Sequence, residues 1–307
     1  MSCRYLKIED FCSTGSGGTP SRSKPEYYEG GDIPWIKSGD LKDSKIYEAN
    51  EYITAAGLEN SSAKIVEKDS ILIAMYGATV GRLAILGINA ATNQAICNIR
   101  PDTTIADMKY LYYFLKSKFS YFVENAVGGA QPNISQGLIK SLEVPLPSLD
   151  EQKRIADILD KAAGVCQKRE QAIKLADDFL RAKFLEMFGT PANNIHRFPK
   201  GTIRDLVDSV NYGTSAKASI DSGEYPILRM GNITYQGRWD FTDLKYLDLS
   251  VKEKDKYLVK EGDLLFNRTN SKELVGKTAV YEEDRPMAFA GYLIRVRPNS
   301  IGNNYYI

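Results

Sequence analysis

Two stretches of the chain, IPWIKSGDL and YPILRMGNI, place a basic residue and a polar side chain in a turn after an apolar run. Lys37 corresponds to Arg229, Asp40 corresponds to Asn232, and Ser38 follows the first basic residue. A basic residue that both copies keep suits a phosphate contact, whereas a carboxylate or amide that changes suits the recognition of different bases. The geometry of a glycine turn alone is an equally good interpretation.

A glycine-rich loop, GSGGTPSR, precedes the first of these stretches. Glycines let backbone N–H groups approach a phosphate, and hydroxyl and guanidinium groups can donate to it. The candidate donors are Ser16, Thr19, Ser21 and Arg22. In the second half of the chain Thr214 follows a glycine at the matching place, and Arg22 has no clear counterpart there. A flexible connection between strands is the competing interpretation.

Two further loops, within MYGATVGR and NRTNSKELVGKT, occupy equivalent places and differ in length. Their hydrogen-bonding side chains are Tyr76, Thr79 and Arg82 in the first loop and Asn267, Arg268, Asn270 and Lys272 in the second. Such groups can reach base edges in a major groove. The amides Asn93 and Gln94 can pair with adenine, although amides more often hold loops in place. Ordinary divergence of loops explains the same pattern.

The sequence offers no catalytic constellation. It contains one histidine and four cysteines without a C-x-x-C pair, so neither a metal site nor a disulfide framework is expected. We expect Cys97 and Cys166 to be small apolar residues of a strand and a helix stripe. VGKT lacks the first glycine of a phosphate-binding loop, and Asp107 reads as a helix cap. We therefore expect no cofactor and no enzymatic activity.

The elements that carry these loops form an internal repeat. Apolar runs broken by Gly, Pro, Asn and Asp follow one another in the same order in both halves, which predicts twisted, mostly antiparallel β-structure. A helix is predicted over 106–127, so the fold class is α+β. The 40 basic and 39 acidic residues give a formal net charge of +1, so a surface that binds nucleic acid has to be local.

A long amphipathic helix is predicted between the two copies. Its apolar residues recur at spacings of three, four or seven, with a beat missing where Arg169 lies, and are Ile155, Leu159, Ala162, Cys166, Ile173, Ala176, Leu180 and Met187. Ser148 with Glu151 fits a capping box, and Gly189 followed by Pro191 ends the helix. Such a helix is about 58 Å long, and its apolar stripe calls for a second long helix from this chain or a partner.

The amino-acid sequences of several segments are similar to those of the specificity subunit of Type I restriction-modification systems. The segments are GSGGTPSRSKPEYYEGGDIPWIKSGDL, ILIAMYGATVGRLAIL, ATNQAICNI, GGAQPNIS and VPLPSLDEQKRIADIL. The resemblance implies two target recognition domains, at 1–147 and 191–307, joined by a coiled-coil spacer helix at 148–190. Each domain would read one half of a split site in double-stranded DNA. The helix would dock methyltransferase subunits, and through them a restriction subunit.

The sequence departs from the pattern of this family in one respect. The second copy has no counterpart of residues 111–188 and is expected to be incomplete. A truncated or regulatory half-subunit that self-associates through its helix as a scaffold is therefore one alternative. A nuclease or methyltransferase fused to a recognition domain, with an unrecognised catalytic site, is another. No apolar run approaches the roughly 18 residues of a membrane span, and the N-terminal residues lack a secretion signal, so a cytoplasmic location is expected.

Overall fold

The short apolar runs of the sequence form β-sheets, as predicted, in a computed structural model that describes residues 4–129, 131–190 and 192–307. Contacts group the chain into two compact units, Met1–Lys183 and Phe184–Ile307. The first unit therefore includes most of the predicted spacer helix.

Within the described residues the first unit contains eleven strands and six α-helices, the last of which extends into the second unit. The strands are β1 (Arg4–Lys7), β2 (Cys12–Ser16), β3 (Ile33–Ile36), β4 (Ser44–Ile46), β5 (Glu51–Ile53), β6 (Ile65–Val66), β7 (Ile71–Ala74), β8 (Leu83–Leu86), β9 (Ala90–Thr92), β10 (Ile96–Pro101) and β11 (Glu143–Leu146). The helices are α1 (Ile8–Phe11), α2 (Ala55–Glu59), α3 (Met108–Ser117), α4 (Phe119–Glu124), α5 (Gln136–Lys140) and α6 (Leu149–Phe188).

The strands of the first unit form two main sheets. One has the order β2-β10-β7-β8-β4 and the other the order β5-β3-β9-β6, while β1 pairs with β11. Most pairs are antiparallel, but β3 runs parallel to β9 and β4 runs parallel to β8. The helices α3 and α4 and the first turns of α6 pack on the five-stranded sheet around Leu111, Leu115 and Phe122.

The second unit repeats this architecture. Its strands are β12 (Val207–Tyr212), β13 (Tyr225–Leu228), β14 (Lys245–Leu247), β15 (Leu264–Asn267), β16 (Thr278–Val280), β17 (Ala288–Phe289) and β18 (Leu293–Pro298), and its helix is α7 (Val251–Tyr257). The orders β12-β18-β15-β16 and β14-β13-β17 match β2-β10-β7-β8 and β5-β3-β9. The predicted repeat and α+β class are confirmed.

The helix predicted over 106–127 is two helices. Asp107 caps the first one, because its side chain accepts a hydrogen bond from Tyr110 N at 2.9 Å. Lys118 ends α3 and begins α4, and the break turns the chain so that Phe122 reaches the core. Cys97 is buried as expected, and Cys166 lies exposed on the long helix.

The long helix α6 forms as one element. Ser148 Oγ accepts from Glu151 N at 3.4 Å, but the Glu151 carboxylate pairs with Arg154 rather than completing the predicted capping box. Gly189 adopts a φ of 69° directly after the last helical residue, a left-handed conformation that favours glycine. Pro191, the other predicted stop signal, lies outside the described residues.

The apolar stripe of α6 meets the core only near its start. Ile155 packs against the core of the first unit, whereas Ile173 and Leu180 are 63% and 66% exposed. The helix also carries a second apolar row that the sequence analysis missed, with Ile158, Val165 and Phe179 exposed at intervals of seven and fourteen residues. The apolar side chains in the middle of α6 are therefore largely exposed.

A buried ionic cluster stabilises the sheet of the second unit. Asp263 accepts from Arg297 Nε and Nη2 at 2.7 and 2.6 Å and from Lys260 N at 2.8 Å. Arg295 lies nearby, with its Nε 3.9 Å from Asp263 Oδ2, and burial lowers the pKa of its guanidinium. In the first unit Ser70 occupies the position of Asp263 at the start of the equivalent strand. The same frame thus contains a buried ionic cluster in one unit, whereas in the other Arg100, the counterpart of Arg297, forms an exposed pair with Glu67.

Replacing Asp263 by Ala is expected to destabilise the second unit by about 3–5 kcal/mol, because two arginines then lose a buried counter-ion. Urea unfolding monitored by tryptophan fluorescence tests this in a Trp35→Phe background, where Trp239 is the remaining tryptophan. Ser70→Ala is the matched control, measured in a Trp239→Phe background in which Trp35 reports on the first unit, and its cost is expected to stay below about 1 kcal/mol. An unchanged midpoint for Asp263→Ala would contradict the role assigned to the cluster.

Candidate nucleic-acid interface

The candidate side chains of the first unit follow strands that end at one common edge. β2 ends at Ser16, which pairs with Cys97 near the start of β10. β7 ends at Ala74, which pairs with Ile96 at the first position of the same strand. Because antiparallel neighbours alternate in direction, the loop after β2, the loop after β7 and the loop before β10 lie side by side.

The second sheet ends at the same place. β3 and β9 are parallel, with Ile36 opposite Thr92, so their carboxyl ends lie next to each other. Asn93 N donates to Ile36 O at 2.9 Å, and Gly18 N donates to Thr92 O at 2.9 Å. The glycine-rich loop, the turn that contains Lys37 and the Asn93–Gln94 loop are therefore joined by backbone hydrogen bonds.

A carboxylate holds the two basic residues of this surface. Glu51, the first residue of β5, accepts from Arg22 Nη2 at 2.6 Å and also from Lys37 Nζ. The Arg22 guanidinium lies over the rings of Tyr28 and Trp35, 4.4 and 5.1 Å from their centres. The hydrogen bonds from Lys37 and Arg22 lower the pKa of Glu51, so this group is ionised at neutral pH. We refer to Arg22, Lys37 and Glu51 as the basic clamp.

Several other predicted residues are occupied by contacts within the loops. Thr19 Oγ1 donates to Gln94 Oε1, and Ser21 shares a hydrogen bond with Ser23 at 2.8 Å. Asp40 caps its own turn by accepting from Lys37 N at 2.8 Å. These hydrogen bonds hold the loops in one shape.

Ser38 begins that turn, a 3₁₀ turn at Ser38–Asp40, and is half-buried. Asn50 Nδ2 donates to the second Asp40 oxygen at 2.7 Å. The Asp40 side chain therefore stabilises the turn, as the alternative interpretation of this stretch has it.

The loop after β7 presents a mixed set of groups. The Tyr76 ring is 46% exposed, and Thr79 Oγ1 donates to Tyr76 O at 3.1 Å. Arg82 directly precedes the returning strand β8, and its Nη1 lies 4.0 Å from Asp43 Oδ2. Gly77 N donates to Pro132 O at 2.8 Å, so part of the GGAQPNIS segment supports this loop.

In the second unit the equivalent loops surround an open cleft of about 930 Å³. Five of the predicted residues line this cleft, namely Thr214, Arg229, Asn232, Arg268 and Asn270. Lys272 lies on the same loop as Asn270 but does not line the cleft. Asn267 is fully buried at the end of β15, behind the cleft, and its Nδ2 donates to Met230 O at 3.3 Å. Asn267 therefore supports the turn that carries Arg229.

The polar residues of the cleft divide into supporting and exposed groups. Asn232 is buried and caps its turn, because its Oδ1 accepts from Arg229 N at 2.8 Å and its Nδ2 donates to Asp240 O at 2.8 Å. Thr214 is buried and its Oγ1 accepts from Ala216 N at 3.1 Å. These two side chains are occupied by the fold, so the groups that remain to face a ligand include three cations and the exposed carboxylate of Asp243.

The cationic groups of the cleft are Arg229, Arg268 and Lys245, of which the last was not predicted. Arg229 Nη2 donates to Asp243 Oδ2 at 2.7 Å, and the Arg268 guanidinium lies 5.0 Å from the centre of the Tyr212 ring. Local sequence gives no signal for Lys245 or for Glu51, because each reaches its site by strand pairing. Only an alignment of the two copies shows that these two positions are equivalent.

The described residues contain no group of three His, Cys, Asp or Glu side chains arranged to hold a metal ion. Nor does any helix within the described ranges combine the length and apolar character that crossing a bilayer requires. The surface at the strand ends combines hydrogen-bonding and cationic groups with the carboxylates of Glu51 and Asp243, and groups of these kinds can contact phosphates and base edges.

The family model of the Type I restriction modification DNA specificity domain matches residues 4–175. The EcoR124I/EcoR124II specificity subunit of Escherichia coli is 33% identical over 150 residues, which cover 47% of this chain and 37% of that protein. The MjaIX specificity subunit of Methanocaldococcus jannaschii is 33% identical over 187 residues, which cover 59% and 42%. The chain thus aligns with less than two thirds of the length of these relatives.

Two solved structures share the fold. The Type I restriction-modification S subunit from M. genitalium aligns with a TM-score of 0.52 and 16% identity over 98% of this chain and 74% of that one. A chain from a structure of type I R-M complex assembly and conformational transition aligns with a TM-score of 0.55 and 16% identity over 99% and 77%. At this identity the likeness concerns the fold alone.

Gly17→Ala is expected to distort the candidate surface, because an added Cβ would overlap the carbonyl of Thr92, the end of β9 to which the glycine-rich loop is bound. We expect a loss of stability of about 1–3 kcal/mol and a change in Trp35 fluorescence, since Trp35 Nε1 donates to Gly18 O. Thermal unfolding and the emission spectrum measure both effects.

Gly39→Ala is the control for this substitution, because a Cβ at Gly39 meets no atom within 4 Å. If both variants unfold at the temperature of the unmodified chain, the close approach of the loop to β9 does not determine the shape of the surface.

Proposed function

The chain belongs to the family defined by the Type I restriction modification DNA specificity domain, and from this we propose that it is the sequence-recognition subunit of a Type I restriction-modification complex. Each unit reads one half of a split site in double-stranded DNA. The observation that carries the proposal is the convergence of polar and cationic loops from separate strands at one edge of each unit, on two copies of one frame.

Phosphate binding in this proposal depends on local charge. The chain as a whole is almost neutral, so attraction to DNA comes from the basic clamp in the first unit and from Arg229, Arg268 and Lys245 in the second. Each cation that neutralises a phosphate releases counter-ions, which makes the affinity fall as salt rises. Loop side chains such as Tyr76, Asn93 and Asn270 then discriminate between bases at about 1–3 kcal/mol for a good bidentate pair.

The helix α6 serves as the spacer and as the docking element. An apolar surface on a helix is stabilised when another helix covers it and removes it from water. We infer that methyltransferase subunits supply that cover and perform the chemistry, and that a restriction subunit joins through them. Self-association through the same helix is the competing arrangement, and it corresponds to the scaffold interpretation of the chain.

The double variant Arg22→Ala, Lys37→Ala is expected to weaken binding of the assembled complex to duplex DNA, because up to two phosphate contacts are lost. The slope of log K against log salt is expected to fall by about 0.9 for each lost contact. Titration of labelled duplex at several salt concentrations measures this. Lys68→Ala is the control, since Lys68 lies before β7, at the opposite end of that strand from the candidate surface. Equal slopes for all three proteins would rule out the assigned contact surface.

The double variant Ile173→Asp, Leu180→Asp is expected to abolish co-purification with methyltransferase subunits, because two charges enter the apolar surface of α6. The chain is isolated from its own cells, and the eluate is assayed for bound subunits and for sequence-specific methyl transfer to duplex DNA. Gln167→Asp, Gln171→Asp introduces the same charges on the opposite side of the helix and is expected to leave assembly intact.

Two outcomes of this experiment would favour the alternatives. Methyl transfer by the chain purified alone would support a fused enzyme. Assembly that persists in the Ile173→Asp, Leu180→Asp variant would contradict the docking role of the helix.

A further inference from the structure

The two units carry opposite charges at one structurally equivalent position. In the first unit Glu51 pairs with Trp35, the third residue of β3. In the second unit Lys245 pairs with Ile227, the third residue of β13. Glu51 and Lys245 are each the first residue of the strand that borders the candidate surface. The charge of the side chain is therefore reversed between the two units, while the strand pairing around it is the same.

Glu51 is an acceptor in the middle of the basic clamp. Its side chain is 31% exposed and its two oxygens accept from Lys37 and Arg22. An ionised carboxylate has about four lone-pair sites, so two donors leave acceptor capacity for a ligand. A phosphate would be repelled by this group, whereas an exocyclic amino group of a base would be attracted. The two cations also hold the carboxylate in a fixed place, which a reading group requires.

Lys245 is a donor in the corresponding place. It lines the cleft with Arg229 and Arg268, and among the described residues its ammonium group makes no hydrogen bond or ion pair, whereas Arg229 is bound to Asp243. The ammonium group is therefore available to a ligand. Lysine donates to the O6 and N7 acceptors of guanine in the major groove.

We propose that positions 51 and 245 determine sequence specificity, with Glu51 selecting a base that offers an amino group, cytosine above all, and Lys245 selecting guanine. This inference rests on the proposed function, since it assigns the bases that the two units read. Reversal of the charge at this one position gives the two half-sites different sequences while the strands and the basic turn residues Lys37 and Arg229 stay the same.

The test is selection of duplexes from a random-sequence library by the assembled complex. The unmodified complex is expected to enrich cytosine at one position of one half-site and guanine at one position of the other. Glu51→Lys is expected to replace the cytosine preference by guanine with a change of about tenfold or more. Lys245→Glu is expected to produce the reverse change in the other half-site. All other positions are expected to keep their preference.

Glu51→Gln guards against loss of folding, because Glu51→Lys places a third cation beside Arg22 and Lys37. The amide keeps the size of the side chain and pairs best with adenine, so the preference is expected to move from cytosine to adenine. Glu59→Lys, at the exposed end of α2, is the control for a reversal of charge and is expected to leave the selected sequence unchanged.

The outcomes separate this inference from the proposed function. If the unmodified complex enriches no sequence at all, the proposed function fails. If it enriches a split site but the Glu51→Gln and Lys245→Glu complexes select the same site, or weaken every position equally, positions 51 and 245 do not read bases and the inference is overturned.

Discussion

Both units depend on one backbone contact between their two sheets. In the first unit the loop after β2 binds the end of β9, and in the second unit the loop after β12 binds the end of β17. Gly18 N donates to Thr92 O at 2.9 Å, and Thr214 N donates to Phe289 O at 2.9 Å. In each unit the preceding residue is a glycine, Gly17 or Gly213, whose position has no room for a Cβ. The contact joins the two sheets at the edge where the candidate loops meet, so it determines where their side chains can lie.

With this junction kept, the interior of each unit has diverged. The sheet of the second unit contains the Asp263 cluster, whereas the first unit has Ser70 at the same position. Buried charge contributes little net stability compared with apolar packing, but removing one partner is costly. The two units thus reach one strand order with different side-chain interactions. This agrees with loops that differ in length and charge between the units, because the frame tolerates substitution as long as the backbone pairing persists.

Much of the fold could be predicted from the sequence because it depends on local patterns. The repeat, the strands and the long helix follow from periodic apolar residues and from Gly, Pro and Asn, and Asp107 was recognised as a cap. The break at Lys118 was missed because the apolar spacing continues across it. Contacts made by strand pairing could not be predicted from local sequence, so Glu51 and Lys245 were overlooked. Asn232 was taken as a base contact, although it is buried and caps its own turn, as the interpretation of this stretch as a glycine turn has it.

The bare surface of α6 has a consequence for how much of this chain a cell can accumulate. Ile173, Leu180 and Phe179 are exposed in the folded chain, and contiguous apolar surface of this kind promotes aggregation and is recognised by chaperones and proteases. Chains whose α6 is not covered by another helix are therefore degraded or lost to aggregates, whereas chains whose α6 is covered persist. Under the proposed docking, the abundance of the chain would follow the supply of the helices that cover α6.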